Sequence, residues 1–197
     1  MVVGEDGRTR CGWGASPAVY TAYHDTEWGR PERDDDRLFE KVCLEGFQAG
    51  LSWLTILNKR EAFRAAFAGF SIAVVAEFGA GDVARLVADA GIVRNRAKIE
   101  AAISNAVAVQ ELQATEGSFH EFVWSFRPAT HPPLLSLADS RASTPESEAL
   151  SKELKRRGFR FVGPTTMYAL MQAMGLVNDH LVDCWVYDEV EAAQRAV

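Results

Sequence analysis

Two cysteines and two histidines at opposite ends of the chain could together hold a metal ion. Twelve residues separate Cys11 from His24 near the start, and His180 and Cys184 stand four apart near the end. A spacing of four on a helix puts both side chains on one face. Two thiolates and two imidazoles are typical ligands of zinc, and they would complete its tetrahedron without leaving a position for water. A zinc ion held in this way would be structural and would tie the two ends of the chain together.

The same spacing has an alternative interpretation. A histidine four residues before a cysteine is also typical of a surface imidazole beside a small buried thiol. The long separation of the two pairs matches no standard zinc-finger spacing, so the spacing alone leaves both interpretations open. Cys43 lies on the apolar face of its helix and is predicted to be core. His120 and His131 have no ligand-type neighbour and are predicted to be ordinary surface or loop histidines.

A carboxylate among apolar residues is the second feature that could do chemistry. Glu45 lies in the segment Cys-Leu-Glu-Gly-Phe, which is predicted to face the core. Burial of a carboxylate is costly unless the group is hydrogen-bonded or faces a cation. The first third of the chain is also rich in aromatic residues, namely Trp13, Tyr20, Tyr23, Trp28, Phe39, Phe47 and Trp53. A flat cationic ligand would suit both features, because its faces can stack on the rings and its edge can bind the carboxylate.

The alternative for this cluster is that the aromatic residues are core and that Glu45 pairs with Arg60 or Lys41. For any single aromatic residue, the core is the usual environment. A binding role is favoured for Glu45, because small residues around it would leave room for a ligand. These small residues are Gly46, Ala49 and Gly50.

Residues 147–173 predict a helix, a tight turn and a second helix. Gly163 allows close backbone approach, Pro164 suits the first helical position, and Thr165 and Thr166 add hydroxyls. The free amides at such a helix N-terminus attract anions. Residues 151–160 contain five basic residues and one acidic residue, Glu153, which gives a local net charge of 5 − 1 = +4. The basic residues are Lys152, Lys155, Arg156, Arg157 and Arg160. The pattern suggests a clamp on DNA phosphates, but basic residues that only complement a helix dipole would look the same, so the spacing leaves both interpretations open.

Helical spacing of apolar residues dominates the chain and strand alternation is nearly absent, which predicts an all-α fold. Helix boundaries are predicted from capping patterns. The predicted N-caps are Ser16 and Thr144, each before a proline, and the predicted C-terminal stops are Gly91 and Gly158.

One long loop is predicted, at residues 128–145, which hold four of the seven prolines. Residues 159–162 alternate like a strand, but so short a segment cannot form a sheet alone and is predicted to be an extended connection. We expect a single α-helical domain over residues 1–197. If it has two helical lobes, the long loop would join them.

The composition limits the classes to which this chain can belong. Its 197 residues include 21 Lys and Arg against 27 Asp and Glu, a net charge of −6, with 48% hydrophobic and 24% charged residues. These values exclude global disorder, fibrous repeats and a disulfide framework. No apolar run approaches the roughly 18 residues of a membrane span, and the acidic start differs from a signal peptide, so we expect a cytoplasmic protein without membrane contact. An acidic chain argues against a polyanionic partner, so any nucleic-acid site must be local.

Several segments together resemble the type I DNA-3-methyladenine glycosylases, a branch of the helix-hairpin-helix glycosylase superfamily. The segments are Arg-Cys-Gly-Trp at 10–13, Ala-Tyr-His-Asp-Thr-Glu-Trp-Gly at 22–29, Leu-Phe-Glu-Lys-Val-Cys-Leu-Glu-Gly-Phe-Gln-Ala-Gly-Leu-Ser-Trp at 38–53, Ala-Gly-Ile-Val-Arg-Asn-Arg-Ala-Lys-Ile at 90–99, Gly-Phe-Arg-Phe-Val-Gly-Pro-Thr-Thr at 158–166 and Gly-Leu-Val-Asn-Asp-His-Leu-Val-Asp-Cys at 175–184. The resemblance extends over nearly the whole chain.

The resemblance implies an all-α helix-hairpin-helix glycosylase fold and one structural zinc ion. The implied zinc ligands are Cys11, His24, His180 and Cys184. The implied catalytic residue is Glu45, and the implied base-binding residues are Tyr23 and Trp53, with Tyr20 and Trp13 close by. The implied DNA contacts are Leu51, which would fill the gap left by an extruded base, with Gly50, Gly163, Thr165, Thr166 and Arg157. The implied activity is flipping and hydrolytic excision of N3-methyladenine from alkylated double-stranded DNA, which leaves an abasic site; we expect a monomer.

One departure from the wider superfamily bears on the chemistry. Many members place a nucleophilic lysine beside the hairpin threonine, where this chain has Thr165, so we expect no Schiff base and no strand cleavage. The superfamily's aspartate falls near Asp179, directly before His180, and Asp179 is expected to cap the last helix instead of catalysing. Two alternatives are a zinc-tied module that binds damaged DNA without releasing a base, and a zinc hydrolase, which would need an open coordination position.

Overall fold

Ten α-helices form most of the computed structural model, which describes residues 1–197. In chain order they are α1 (Ala18–Thr26), α2 (Asp35–Gln48), α3 (Trp53–Ala66), α4 (Ile72–Val75), α5 (Ala80–Ala88), α6 (Arg96–Glu116), α7 (Phe119–Trp124), α8 (Pro145–Arg156), α9 (Pro164–Ala173) and α10 (Tyr187–Arg195). The predicted helical fold is confirmed. Two short antiparallel strands, β1 (Val2–Val3) and β2 (Thr9–Arg10), were not predicted. None of the helices has the length and apolar character to cross a bilayer.

Helix α2 lies at the centre of the main core. Every residue from Leu38 to Phe47 is buried, and α3, α6, α7 and α9 pack around the helix. Its N-terminus is capped by Asp34, whose side chain accepts a hydrogen bond from the Arg37 amide. A helix buried on all sides carries its polar side chains inside the protein. Each of those side chains therefore needs a partner, and those partners shape the site described below.

A second, smaller cluster joins the two ends of the chain. Its buried residues are Cys11, Leu134, Leu181, Cys184, Val186 and Val190. The loop over residues 128–145 is confirmed, with only a short 3₁₀ turn at Leu137–Asp139. The loop packs against the C-terminal segment, because Leu134 pairs with Leu181 in a parallel bridge and its carbonyl accepts from the Val182 amide at 3.1 Å. This loop therefore forms part of the packed structure.

Two of the four predicted helix boundaries are confirmed. Thr144 caps α8, and Gly158 follows it with a φ of +89°. Ser16 is not a cap, because α1 begins at Ala18 with Pro17 in the cap position. Gly91 does not end a helix, because α5 already ends at Ala88 and Asp89 then accepts from the Gly91 amide in a tight turn.

Replacing Thr144 with alanine is expected to lower the free energy of unfolding by about 1 kcal/mol. The Thr144 hydroxyl accepts from the Ser147 amide at 3.3 Å, and both residues are buried, so the amide would lose its partner. Urea denaturation measures the change. Ser143→Ala is the matched control, because its hydroxyl binds only an exposed Glu148 carboxylate. Equal losses in the two variants would contradict the capping role.

Candidate functional site

A cavity of about 340 Å³ opens between the N-terminal segment, α1, α2, α9 and the 128–145 loop. The predicted cluster converges on this cavity: Trp13, Tyr20, Tyr23, Glu45 and Trp53 all line it. The Tyr23 and Trp53 ring centroids lie 5.6 Å apart, and the Trp13 and Tyr20 rings meet edge to face. The cavity therefore offers aromatic faces beside a carboxylate, as a flat ligand would require.

Glu45 forms a buried ion pair with a lysine of its own helix. Only 6% of the residue is exposed, and Oε1 lies 2.8 Å from the Lys41 ammonium, one turn earlier on α2. The same ammonium donates to the Tyr23 hydroxyl at 2.8 Å and lies 3.5 Å from the centroid of the Trp53 ring. Burial lowers the pKa of Lys41, and the Glu45 carboxylate opposes that shift. Glu45 thus lines the cavity and pairs with Lys41, whereas Arg60 pairs with Glu27.

Lys41 lies on the side of the Tyr23 and Trp53 rings that faces away from the large cavity. Tyr23 and Trp53 line the large cavity and also a second one of about 30 Å³, and Lys41 lines only the second. Lys41 was one of the two partners considered for Glu45, but its burial against Trp53 was not predicted, since a lysine on a helix usually lies on the surface. Its spacing of four from Glu45 was the available signal.

The small residues near Glu45 do not provide the room predicted for a ligand. None of Gly46, Ala49 and Gly50 lines the cavity. Gly46 faces another way, because an added Cβ there would meet Phe161 Cβ at 3.2 Å. Gly50 lies in the turn after α2 with a φ of +79°, where glycine is favoured. The 128–145 loop forms another side of the cavity, which Leu134 and Leu137 line.

Asp179 is a second buried carboxylate of the cavity. It accepts hydrogen bonds from the Tyr168 hydroxyl at 2.7 Å, from Gln172 Nε2 at 2.6 Å and from His131 Nε2 at 2.6 Å. Burial acts to raise the pKa of Asp179, but these three donors outweigh it and the net shift is downward.

Two predictions about these residues are therefore wrong. Asp179 does not cap the last helix, because α10 begins at Tyr187 and Val186 occupies its cap position. His131 is not an ordinary loop histidine, because it binds a buried carboxylate. The two residues lie far apart in sequence, so spacing could not have paired them.

Cys11, His24, His180 and Cys184 form a buried group that could hold a metal ion. Their ligand atoms all lie within 4.8 Å of one another. Cys184 Sγ lies 3.4 Å from His24 Nε2 and 3.7 Å from His180 Nδ1. Tetrahedral zinc with ordinary bond lengths separates sulfur and nitrogen ligands by roughly 3.5 Å. The arrangement therefore fits the predicted ion.

The other ring nitrogens of both histidines are already bound. His24 Nδ1 lies 2.8 Å from the Asp25 carboxylate, which also binds Arg10, and His180 Nε2 lies 3.1 Å from the Trp28 carbonyl. These acceptors favour the tautomers in which His24 Nε2 and His180 Nδ1 carry free lone pairs. Both lone pairs face the sulfurs, as metal binding requires.

One reason given for the metal site is wrong. His180 and Cys184 were predicted to share a helix face, but both lie in turns before α10. The turn at Leu181–Cys184 closes with a backbone hydrogen bond of 2.8 Å, and the Leu181 amide donates to Cys11 Sγ at 3.3 Å. Turn geometry and a hydrogen bond to the thiol therefore bring the ligands together. The alternative of a surface imidazole is also wrong, because His24 and His180 are both buried.

The predicted helix, turn and helix near residue 160 are present as α8 and α9, which pack against each other. Gly163 takes the cap position of α9, Pro164 starts the helix and Thr165 is exposed. Arg157 is not a free cation, because Glu116 and Glu153 bind it at 2.7 and 2.9 Å. Arg156 also pairs with Glu153, which leaves three exposed cations of this segment without a carboxylate partner: Lys152, Lys155 and Arg160.

Leu51 lies outside the cavity, in the turn between α2 and α3. Its side chain is 43% exposed and lines a neighbouring groove with Arg94 and Asn95. An exposed leucine beside the aromatic cavity suits a wedge that enters a base stack.

The family model of the methyladenine glycosylases matches residues 13–187, which include Glu45 and all the aromatic residues that line the cavity. The chain belongs to the methyladenine glycosylase family. It is 52% identical over 182 residues to DNA-3-methyladenine glycosylase 1 of Escherichia coli K12, covering 90% of this chain and 96% of that protein.

Solved structures of the family agree with this membership. A crystal structure of 3-methyladenine DNA glycosylase I (TAG) superposes with a TM-score of 0.87 at 49% identity, covering 91% of this chain and 100% of that one. A variant of 3-methyladenine DNA glycosylase I in complex with 3-methyladenine superposes with a TM-score of 0.85 at 38% identity, covering 90% of this chain and 97% of that one.

Proposed function

We propose that this protein excises 3-methyladenine from alkylated double-stranded DNA by hydrolysis of the N-glycosyl bond, and leaves an abasic site. The observation that carries the proposal is the aromatic cavity with Glu45 at its edge, in a chain whose relative binds 3-methyladenine. The proposal covers residues 1–197 as one glycosylase domain that acts as a monomer.

The first task is to reach the lesion. A base inside a duplex is hidden, so its nucleotide must be flipped out at a cost of a few kcal/mol, less for a damaged pair. Leu51 would fill the gap left in the stack, since it is exposed on the turn formed at Gly50. The backbone amides at the start of α9, with Gly163, Thr165 and Thr166, would bind a phosphate meanwhile.

The second task is to recognise the base and release it. Methylation at N3 gives adenine a positive charge, which makes it a good leaving group. The faces of Tyr23 and Trp53 would each contribute about 1–2 kcal/mol toward a cationic base. Glu45 would accept a hydrogen bond from the base edge and stabilise positive charge that develops on the sugar. Water then attacks the sugar carbon.

Hydrolysis without strand cleavage is favoured by the residues that line the cavity. None of them is a lysine, and Thr165 stands on the exposed start of α9. A Schiff base needs an amine that reaches the sugar carbon. Lys41 lies behind Tyr23 and Trp53 and is already bound to Glu45, so we assign it no nucleophilic role.

A single zinc ion held by Cys11, His24, His180 and Cys184 would be structural in this enzyme. Four protein ligands leave no position for water or substrate, so the ion would supply folding energy and would not activate a nucleophile. Its effect on the cavity would be indirect, because Cys11 and Leu181 belong both to the cavity wall and to the cluster around the ligands.

The experiment that tests the proposed function is product analysis. The protein is incubated with a methylated duplex, and the released bases are separated by chromatography. Free 3-methyladenine, with abasic sites and no strand breaks, is the expected result. A module that only binds damaged DNA would leave the base attached, and a lyase would give strand breaks; either outcome would contradict the proposal.

Lys41→Met is expected to raise the preference of the cavity for a cationic purine by about tenfold. The Lys41 ammonium pairs with the Glu45 carboxylate and lies over one face of Trp53. Without this ammonium, both groups would attract a cationic ligand more strongly. Tryptophan fluorescence titrations with 3,9-dimethyladeninium, a fixed cation, and with neutral 3-methyladenine measure the ratio of dissociation constants.

Lys59→Met is the matched control for this measurement. The Lys59 ammonium binds the carbonyls of Ala90 and Gly91, and the residue does not line the cavity. Its ratio should equal that of the wild type. An unchanged ratio in Lys41→Met would show that Lys41 does not set the charge preference.

A further inference from the structure

An exposed phenylalanine with an unfavourable backbone conformation lies in the turn between α8 and α9. Phe161 has a φ of +57° and is 37% exposed. The left-handed region is costly for a residue with a Cβ, and a bulky side chain is rarely found there. Outliers of this kind persist where the surrounding structure fixes them and are concentrated at functional sites.

The residues on either side of Phe161 are held in place. The buried Asn105 side chain on α6 accepts from the Arg160 amide at 2.8 Å and donates to the Arg160 carbonyl at 3.0 Å. The buried Ser151 hydroxyl on α8 donates to the Val162 carbonyl at 2.6 Å. These three hydrogen bonds fix the backbone before and after Phe161. The ring is therefore presented to solvent in a defined position, as a preorganised contact residue would be.

Phe161 and Leu51 both lie near the C-terminal end of α2, in two separate grooves. Phe161 lies beside Gly46, two residues before the end of α2, because a Cβ added at Gly46 would meet Phe161 Cβ at 3.2 Å; the turn that carries Leu51 follows the helix end. Lys98 on α6 donates to the carbonyls of Phe47 and Ala49 and so fixes the end of α2 between them. Two exposed apolar side chains thus flank one helix end.

Cations accompany both apolar side chains. Arg160 precedes Phe161, and Arg94 lines the groove beside Leu51. Both arginines are exposed, and neither has a carboxylate within salt-bridge distance. In a chain of net charge −6, exposed arginines without a carboxylate partner are local positive charges that a polyanion could bind. Aromatic rings beside cations are typical of surfaces that bind nucleic acid.

We propose that Phe161 is a DNA-contact residue whose ring packs against a sugar or base of the strand held by the α8–α9 turn, with Arg160 on a neighbouring phosphate. The proposal rests on the proposed function and adds a side-chain contact to the backbone contacts assigned above. It accounts for an exposed ring on a backbone where glycine would be favoured.

The test uses Phe161→Ala and Phe161→Gly in the full-length protein. Binding to a duplex with a tetrahydrofuran abasic analogue is measured by fluorescence anisotropy, and stability is measured by urea denaturation. Both variants should bind about tenfold more weakly than wild type, because both lack the ring. Phe161→Gly should be the more stable of the two, because glycine adopts a φ of +57° without strain. Affinity and stability should therefore change independently.

Two results would overturn the proposal. One is wild-type affinity in both variants. The other is affinity that recovers in Phe161→Gly together with stability, since the ring would then act only on the fold. Ala68→Gly is the matched control, because Ala68 is an exposed residue with a φ of +51° in the turn after α3, away from α8 and α9. Its DNA affinity should equal that of the wild type.

The two proposals can fail separately. Absence of 3-methyladenine release by the wild type would contradict the proposed function. The Phe161 proposal would still be tested by the binding measurement, because binding to the abasic duplex requires no excision. Arg160→Gln provides a further measurement, because loss of one phosphate contact should lower the slope of log Kd against log salt by about one. An unchanged slope would remove Arg160 from the contact surface.

Discussion

Glu45→Gln is expected to lower the single-turnover rate of 3-methyladenine release by roughly a hundredfold, because the charge that would stabilise the developing cation is lost. The variant also leaves the Lys41 ammonium without its carboxylate, and a buried charge deprived of its partner destabilises the fold. Circular dichroism and metal analysis are therefore measured beside the rate. Helicity and metal content should be retained.

Two further variants separate the charge of Glu45 from the disruption of a buried ion pair. The double variant Lys41→Met/Glu45→Gln removes both charges and should remain as slow as Glu45→Gln alone. Glu40→Gln removes another buried carboxylate of α2, which binds Arg37 and Arg64 and does not line the large cavity. Its rate per folded molecule should equal the wild-type rate. Normal release by Glu45→Gln would remove Glu45 from the mechanism.

Cys184→Ser is expected to lower the free energy of unfolding by roughly 4 kcal/mol, because the proposed metal link between distant parts of the chain would be lost. For a domain of this size the change corresponds to about 8–16 °C in Tm. Thermal melts are recorded with and without a chelator, and metal content is measured by elemental analysis. The chelator should lower the wild-type Tm toward that of the variant and leave the variant unchanged.

Cys43→Ser is the control for the metal experiment. Cys43 is a buried thiol of the main core and does not belong to the ligand group, so this variant reports the cost of a buried hydroxyl alone. Its melting curve should still respond to the chelator. Complete loss of metal from Cys184→Ser with an unchanged melting curve would rule out a tethering role for the ion.

The sequence predicted the residues of the site better than the way in which the chain brings them together. The aromatic cluster around Glu45 was recognisable because apolar rings beside a carboxylate are an unusual local composition. The four residues of the candidate metal site were recognisable by residue type. Their stated geometry was wrong, since His180 and Cys184 lie in turns whose conformation depends on hydrogen bonds to Cys11, far away in the sequence.

Contacts between distant segments account for most of what was missed. Asp179 meets His131 only because the 128–145 loop packs on the C-terminal segment, and no local pattern encodes that packing. Arg157 appeared available for DNA because its partner Glu116 belongs to a helix about forty residues earlier. Lys41 was considered as a partner for Glu45, but its contact with Trp53 depends on how α2 packs against α3.

The walls of the cavity come from segments far apart in the sequence, because Trp13 and Tyr20 are translated long before Asp179 and Leu181. While residues 179–184 are still inside the ribosome, the nascent chain therefore lacks one side of its binding site. We expect the growing chain to remain inactive until residues 179–184 have left the ribosome. A premature stop codon upstream of Cys184 should yield a protein without activity, however much of the central helices it retains.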